Sequence, residues 1–276
     1  MKWIKSYGEI LLEQSNDQKI TSDVYFAIVR DDADELKKLL VDDATNRSIY
    51  FRDGDFILVN TAIFLKSYNC LRALLEIGAD PNEVNSSGVT PLFYVVNSNN
   101  IEAAKILLDG GADPNIINPD VDAMNTPQLQ EAIRDGYFEM IKVLLEGGAD
   151  PNLSPMIIHL AIDKISQDGD DDELEVLKTL IEYNVDVNNA INKYYNTTPL
   201  EETINRVKRR FGKDKVYEAL IKAAKMLINT GANPIKAFES YEDMEELLGK
   251  SSLWYSGDIA DLKRKFTASK IRKGLF

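Results

Sequence analysis

The five residues GADPN stand at 78–82, return letter for letter at 111–115, and return again at 148–152. Looser copies follow, NVDVN at 184–188 and GANPI at 231–235. The intervals are 33, 37, 36 and 47 residues. Recurrence at such a period constrains the fold more than any local propensity does, because it marks units that stack on their neighbours. Each copy closes a segment with apolar residues at helical spacing: CLRALLEI, IEAAKILLDG, MIKVLLEG, LKTLIEY and AAKMLINT. Gly78, Gly111, Gly148 and Gly231 fall where a helix ends in a left-handed residue, and a Pro three residues on prevents the helix from resuming.

A second string lies downstream of the first. It reads TPLFYVV at 90–96, TPQLQEAI at 126–133 and TPLEETI at 198–204. A Thr hydroxyl followed by Pro is a helix start, with the hydroxyl as N-cap and Pro at the first helical position. Each unit is therefore predicted to be a loop, a short helix, a tight turn, a second helix and a Gly stop. One such helix pair cannot bury its own apolar face, whereas identical pairs side by side bury it against each other.

With both strings in place, TPLFYVVNSNNIEAAKILLDGGADPN at 90–115 resembles an ankyrin repeat, whose pattern is T-P-L-H-x-A followed by G-A-D. The resemblance covers about three quarters of the chain and implies an all-α ankyrin repeat solenoid of about six repeats. The units are 23–40, 57–82, 90–115, 126–152, one opening at IIHLAI and ending at Asn188, and 198–234, the first and last being degenerate. Residues 1–22, MKWIKSYGEILLEQ onward, read as an N-terminal capping helix. Residues 235–276 read as a C-terminal helical cap with a degenerate seventh unit, covering unit six with Leu247, Leu248, Leu253, Trp254, Ile259 and Leu262.

Composition narrows the chemistry. There is one Cys, Cys70, and one His, His159, so neither a disulfide nor a Cys/His zinc cluster can be built. No Walker string, G-x-S-x-G or H-E-x-x-H occurs. No catalytic, cofactor or metal residue is assigned. The acidic run 167–173, QDGDDDE, lacks the ligand spacing of a calcium loop and reads as a solvated turn inside unit five. No run approaches the ~18–20 apolar residues of a membrane span, and the N-terminus is a poor secretion signal, which points to the cytoplasm, either the producing cell's or that of a host.

Charge is unevenly placed. The net value is −13, yet residues 262–276 carry six Lys and Arg and no acid, leaving 26 bases against 45 acids, or −19, elsewhere. Such a body disfavours duplex nucleic acid and steers basic or mixed-charge protein partners toward it. A second basic stretch, RVKRRFGKDK at 206–215, reads as a solvated helix extension, the alternatives being a contact for an acidic partner or a nuclear-import signal in a eukaryotic cell.

The resemblance also implies where a partner would sit, namely the concave side formed by the first helices and hairpin tips. Carried over position by position, the groove residues are Val29 and Arg30, Phe64 and Leu65, Asn97 and Ser98, Arg134 and Asp135, Asp163 and Lys164, and Asn205 and Arg206. Tyr194 and Tyr195 fall at the most exposed tip positions, where aromatics serve either as interface anchors or as packing against the preceding hairpin. His159 takes the family's His position, which bonds the turn between repeats, and Cys70 takes a packing position of a second helix. The expected function is a monomeric, non-enzymatic protein-binding module, for instance an effector acting on a host protein. The alternatives are an immunity protein whose acidic face blocks a basic toxin and, more remotely, an enzyme that docks its substrate on the repeats.

Overall fold

A computed structural model describes residues 22–41, 55–84, 88–117, 126–167, 171–188, 197–209, 214–235, 237–238, 244–245 and 259–272. Among them run thirteen helices: α1 Ser22–Val29, α2 Ala33–Val41, α3 Asp55–Leu65, α4 Tyr68–Glu76, α5 Pro91–Asn97, α6 Ile101–Asp109, α7 Gln128–Asp135, α8 Phe138–Glu146, α9 Met156–Gln167, α10 Asp171–Glu182, α11 Pro199–Lys208, α12 Lys215–Asn229 and α13 Ile259–Arg272. The first twelve form six consecutive pairs. The N-terminal helix expected over 1–22 lies outside the described residues except for Ser22, as do Leu247, Leu248, Leu253 and Trp254 of the expected cap.

Local chemistry sets the helix ends where the sequence puts them. The Thr90 hydroxyl accepts from Phe93 N at the head of α5, with Pro91 at the first position. At α11 the cap is reciprocal: Thr198 accepts from Glu201 N at 3.2 Å, and the Glu201 carboxylate accepts from Thr198 N at 2.8 Å. Gly78, Gly111, Gly148 and Gly231 have φ of 100°, 93°, 93° and 106°, and in the frayed copy Asn184 takes the same left-handed role at 61°. Asp214 caps α12 by accepting from Tyr217 N at 2.8 Å, so the basic stretch 206–215 ends as a helix start. The acidic run is not wholly a loop, as Asp171, Asp172 and Glu173 form the first turn of α10, where acids complement the helix dipole. Glu173 there is buried.

The chain divides into two compact units, residues 1–131 with 142–149, and residues 132–141 with 150–276. In the first unit, α1 packs on α3 and α3 on α5, while α2 packs on α4 and α4 on α6. First helices thus make one layer and second helices another. Val24, Ile28, Leu58, Val59, Leu92 and Val95 are buried from the first layer, and Leu36, Leu40, Leu71, Leu74 and Leu107 from the second. Each such side chain contributes about 1.5–3 kcal/mol. In the second unit α9 packs on α10, α11 and α12, and α10 packs on α12. Ile157, Ile158, Leu177, Leu180, Leu200, Ile204, Leu220 and Leu227 fill its core.

The GADPN strings do more than stop helices. Within each string the Asp carboxylate accepts from the Asn backbone two residues on: Asp80 from Asn82, Asp113 from Asn115, Asp150 from Asn152 and Asp186 from Asn188, all at 2.8–2.9 Å. The turn so formed aims the Asn side chain at the next repeat. Asn82 donates to Gly111 O at 3.2 Å and accepts from Asp113 N at 2.8 Å. Asn115 donates to Gly148 O at 3.0 Å. In the second unit Asn152 and Asn188 make the same pair of bonds to Asn184 O and Asp186 N, and to Gly231 O and Asn233 N. Each Asn satisfies backbone groups that a loop would otherwise leave to water.

Candidate protein-binding surface

In the first unit, the turn between the two helices of a pair carries a left-handed residue: Asp31 at φ 56°, Lys66 at 57° and Asn99 at 49°. These three residues register the repeats against one another. Two positions earlier stand Val29, Phe64 and Asn97. One helical turn before those stand Phe26, Thr61 and Tyr94, on the same helix face. Of these six, Phe26 is 50%, Val29 41%, Phe64 64% and Tyr94 42% exposed. The layer of α1, α3 and α5 therefore presents large apolar groups outward at four of these six places, where exposed groups of that size are ordinarily scattered singly.

The neighbourhood of that row is ordered by its own contacts. The Arg30 guanidinium lies 5.9 Å from the Phe26 ring centroid, and Tyr25 meets Phe26 edge to face. Phe93 meets Tyr94 the same way, with centroids 5.9 Å apart. The Ser98 hydroxyl donates to Tyr94 O at 2.8 Å, so it is held by its own helix, whereas Asn97 beside it is exposed. Leu65 is half-buried. In the loops after the first two GADPN strings, Val84 and Ile117 hold one repeat position and are 47% and 39% exposed.

The fourth pair places Arg134 half-buried and Asp135 exposed at the end of α7. In the second unit the candidates are engaged with one another. Arg206 binds Asp163 Oδ1 at 2.9 Å and, one turn back, Glu202 Oε1 at 2.6 Å. The other Glu202 oxygen is hydrogen-bonded to His159 Nδ1. Gln167 donates to Asp163 Oδ2 at 2.8 Å. A chain of four charged or titratable groups thus runs from half-exposed Asp163 to His159, which is buried. Burial alone would push the Glu202 carboxyl up, but hydrogen bonds from His159 and Arg206 outweigh it and hold it below the ordinary glutamate value. Burial likewise works against the Arg206 charge, and the Glu202 and Asp163 carboxylates reverse that effect and raise its pKa. His159 therefore bonds a side chain of the next repeat, and among the described residues its Nε2 has no partner. Lys164 is half-buried and Asn205 exposed.

Tyr194 and Tyr195 lie outside the described residues. Glu202, Phe26 and Tyr94 were absent from the sequence-based set. The signal for the last two was the register itself, since a residue three before a groove position shares its face. Cys70 is buried, its Sγ donates to Ala27 O at 3.6 Å, and burial pushes the thiol up to about 12. A thiol so placed is inert as a nucleophile. Among the described residues no group of three or more His, Cys, Asp or Glu is placed to hold a metal ion, and no helix is long and apolar enough to cross a membrane.

Comparison with known proteins extends these observations. The family model described as ankyrin repeats (3 copies) matches residues 24–118 and 58–155. Cyclin-dependent kinase 4 inhibitor B of Bos taurus is 37% identical over 84 residues, which is 30% of this chain and 60% of that protein. The chain spans less than two thirds of the length of each curated relative it matches. Among solved structures, an ankyrin repeat domain from Acinetobacter baumannii AYE is similar at a TM-score of 0.51 and 19% identity, covering 72% of this chain and 96% of its own. The ankyrin repeat domain of Bcl-3, of the IkappaB protein family, is similar at a TM-score of 0.53 and 18% identity, covering 83% of this chain and 99% of its own. At those identities the likeness is one of fold. The family match thus covers residues 24–155, helix pairs of the same design follow it, and the fold is the all-α ankyrin repeat solenoid.

Proposed function

We propose that this protein is a non-enzymatic binding module whose protein partner seats on the outward face of the first helices and on the hairpin loops beside them, the family's groove side. Ankyrin repeats are protein–protein interaction modules. The observation that carries the reading to this surface is the group of Phe26, Val29, Phe64 and Tyr94, exposed at two recurring positions across three successive repeats. Aromatic groups held on packed helices lose little entropy on binding and are enriched among residues that dominate interface energy. Tyr194 and Tyr195 extend the same proposal to the tip before repeat six.

Several observations support binding rather than catalysis. The lone thiol is buried with its pKa raised, and the lone imidazole is committed to Glu202. Asp163 and Arg206 are tied to each other, so they present a shared, partly compensated charge to a partner rather than two free ones. The excess of acids over the first 261 residues favours a partner with basic or mixed charge around an apolar centre. The Bos taurus relative is itself named as an inhibitor of another protein, which fits action by occupancy.

The test is affinity for a partner captured by the full chain and then purified. Phe26→Ala with Phe64→Ala should weaken binding by about 2 kcal/mol or more while leaving the melting temperature nearly unchanged, because both side chains are exposed. Equal affinity of variant and wild type would remove the apolar row from the interface.

A further inference from the structure

One small residue interrupts the large outward groups of the first layer. Phe26, Thr61 and Tyr94 each stand five residues before the left-handed residue of their turn, so they hold one position in three successive repeats. Phe26 and Tyr94 are exposed, whereas Thr61 between them is only 9% exposed. Packed helices lie about 8–10 Å apart, so two such spacings separate the helices that carry the two rings. At that level α3, in the middle, holds only a short side chain. Thr61 is thus the floor of a notch, with Phe26 and Tyr94 on either side and Phe64, one turn along α3, on a third. A cation stands at its rim. Arg30 prolongs α1 by donating its N–H to Phe26 O at 3.1 Å, and its guanidinium lies over the Phe26 ring, 5.9 Å from the centroid. The acids beside it are committed to helix ends. Asp31 accepts from Cys70 N and the Asn69 amide, each at 2.8 Å, at the head of α4, and Asp32 accepts from Glu35 N at 3.0 Å at the head of α2. Asp34 lies in the first turn of α2. Asp23 and Asp55 stand at the opposite ends of α1 and α3, and α5 has no charged residue.

We propose that this notch takes a segment of the partner protein that presents a large apolar side chain beside a carboxylate. The apolar group seats over Thr61 among the three rings, which packed helices hold in place at little entropic cost. The carboxylate meets Arg30, because a guanidinium lying on a ring keeps its N–H edge for a carboxylate. A base at the same place on the partner is rejected, since like charges in contact cost several kcal/mol. The inference rests on the reading proposed above and narrows it. The acidic body steers basic parts of a partner from a distance, whereas Arg30 selects at contact range, where the screening that acts beyond about 8–10 Å has little effect. Arg30 and Thr61 are thus the residues that decide which segment fits this face.

Selection of displayed random peptides on the full chain tests it, followed by titration of the most enriched sequence as a synthetic peptide. The enriched sequences should pair a Phe, Trp or Leu with a neighbouring Asp or Glu. Arg30→Glu should weaken the synthetic peptide about tenfold or more, and should prefer the same peptide with its acid changed to Lys. Thr61→Met, which fills the floor, should weaken it several-fold, while Thr61→Ser should bind as the wild type does. Arg30 is exposed, so its variant should melt with the wild type. Absence of any enriched peptide, an enriched set without acids, or equal binding by Arg30→Glu or Thr61→Met would each overturn the inference. Phe26→Ala with Phe64→Ala separates it from the broader reading. Peptide binding lost in that variant but kept in Arg30→Glu removes only the acid-bearing segment, and binding kept in both removes this face as the site.

Discussion

The side-chain amide of Asn188 donates to the carbonyl of Gly231, 43 residues further along the chain, at 3.1 Å. Its oxygen accepts from Asn233 N at 2.9 Å, so one side chain holds two backbone groups of the following repeat. The recurrence of GADPN is therefore a bonding pattern as much as a stop signal. Gly turns the chain, Asp shapes the turn, and Asn fastens it to its neighbour.

Asn188→Ala should lower the unfolding free energy by about 1–2 kcal/mol, since two partly exposed hydrogen bonds are lost and their backbone partners turn to water. Denaturant unfolding of the two proteins measures it. A midpoint within error of the wild type would show that the ladder contributes shape without stability.

Gln128 is fully buried, and among the described residues neither its amide nitrogen nor its carbonyl oxygen has a partner. The equivalent positions in TPLFYVV and TPLEETI hold Leu92 and Leu200, both buried. Gln128→Leu should stabilise the protein by about 1–3 kcal/mol, the desolvation cost of an unbonded amide. A fall in the denaturation midpoint would show that the amide is satisfied in solution and that the position is polar by need.

The Glu202 carboxylate, bonded to His159 and Arg206, has a folded pKa below the ordinary value of 4.5. A depressed folded pKa contributes stability that is complete above the unfolded pKa and is lost as pH falls through the folded one. Glu202→Gln should therefore cost stability at neutral pH, about 1.5–3 kcal/mol for weakened hydrogen bonds to a charged group, and should flatten the acid limb below about pH 4.5. Equal slopes for the two proteins on that limb would place the acid sensitivity elsewhere.

Much of this architecture was legible because it is written locally. Thr90 and Thr198 before Pro, and Gly78, Gly111, Gly148 and Gly231 after an amphipathic run, fix helix ends by rules that span four residues. The role of Asn82, Asn115, Asn152 and Asn188 was not legible, because their partners lie 29–43 residues away and the string alone reads as a turn. The same distance hid Glu202, which joins His159 across a repeat boundary. From its charge alone the run at 167–173 reads as a solvated turn. Its last three acids instead start α10, where the unpaired N–H groups of the first turn favour carboxylates. Of the candidate surface, Phe64 was legible as an apolar residue at a polar position. Phe26 and Tyr94 became visible only when exposure was known, since an apolar residue on a helix is more often inside.

The central claim is that a protein partner covers the layer of α1, α3 and α5. Hydroxyl-radical footprinting tests it directly, because exposed aromatic rings are oxidised in proportion to their access to solvent. With partner bound to the full chain, oxidation of Phe26, Phe64 and Tyr94 should fall several-fold, while peptides carrying Lys37, Arg72 and Glu102, which form ion pairs along the second-helix layer at 2.5 Å from their partners, should be unchanged. Protection of the second-helix peptides with Phe26, Phe64 and Tyr94 oxidised as in the free protein would contradict the account.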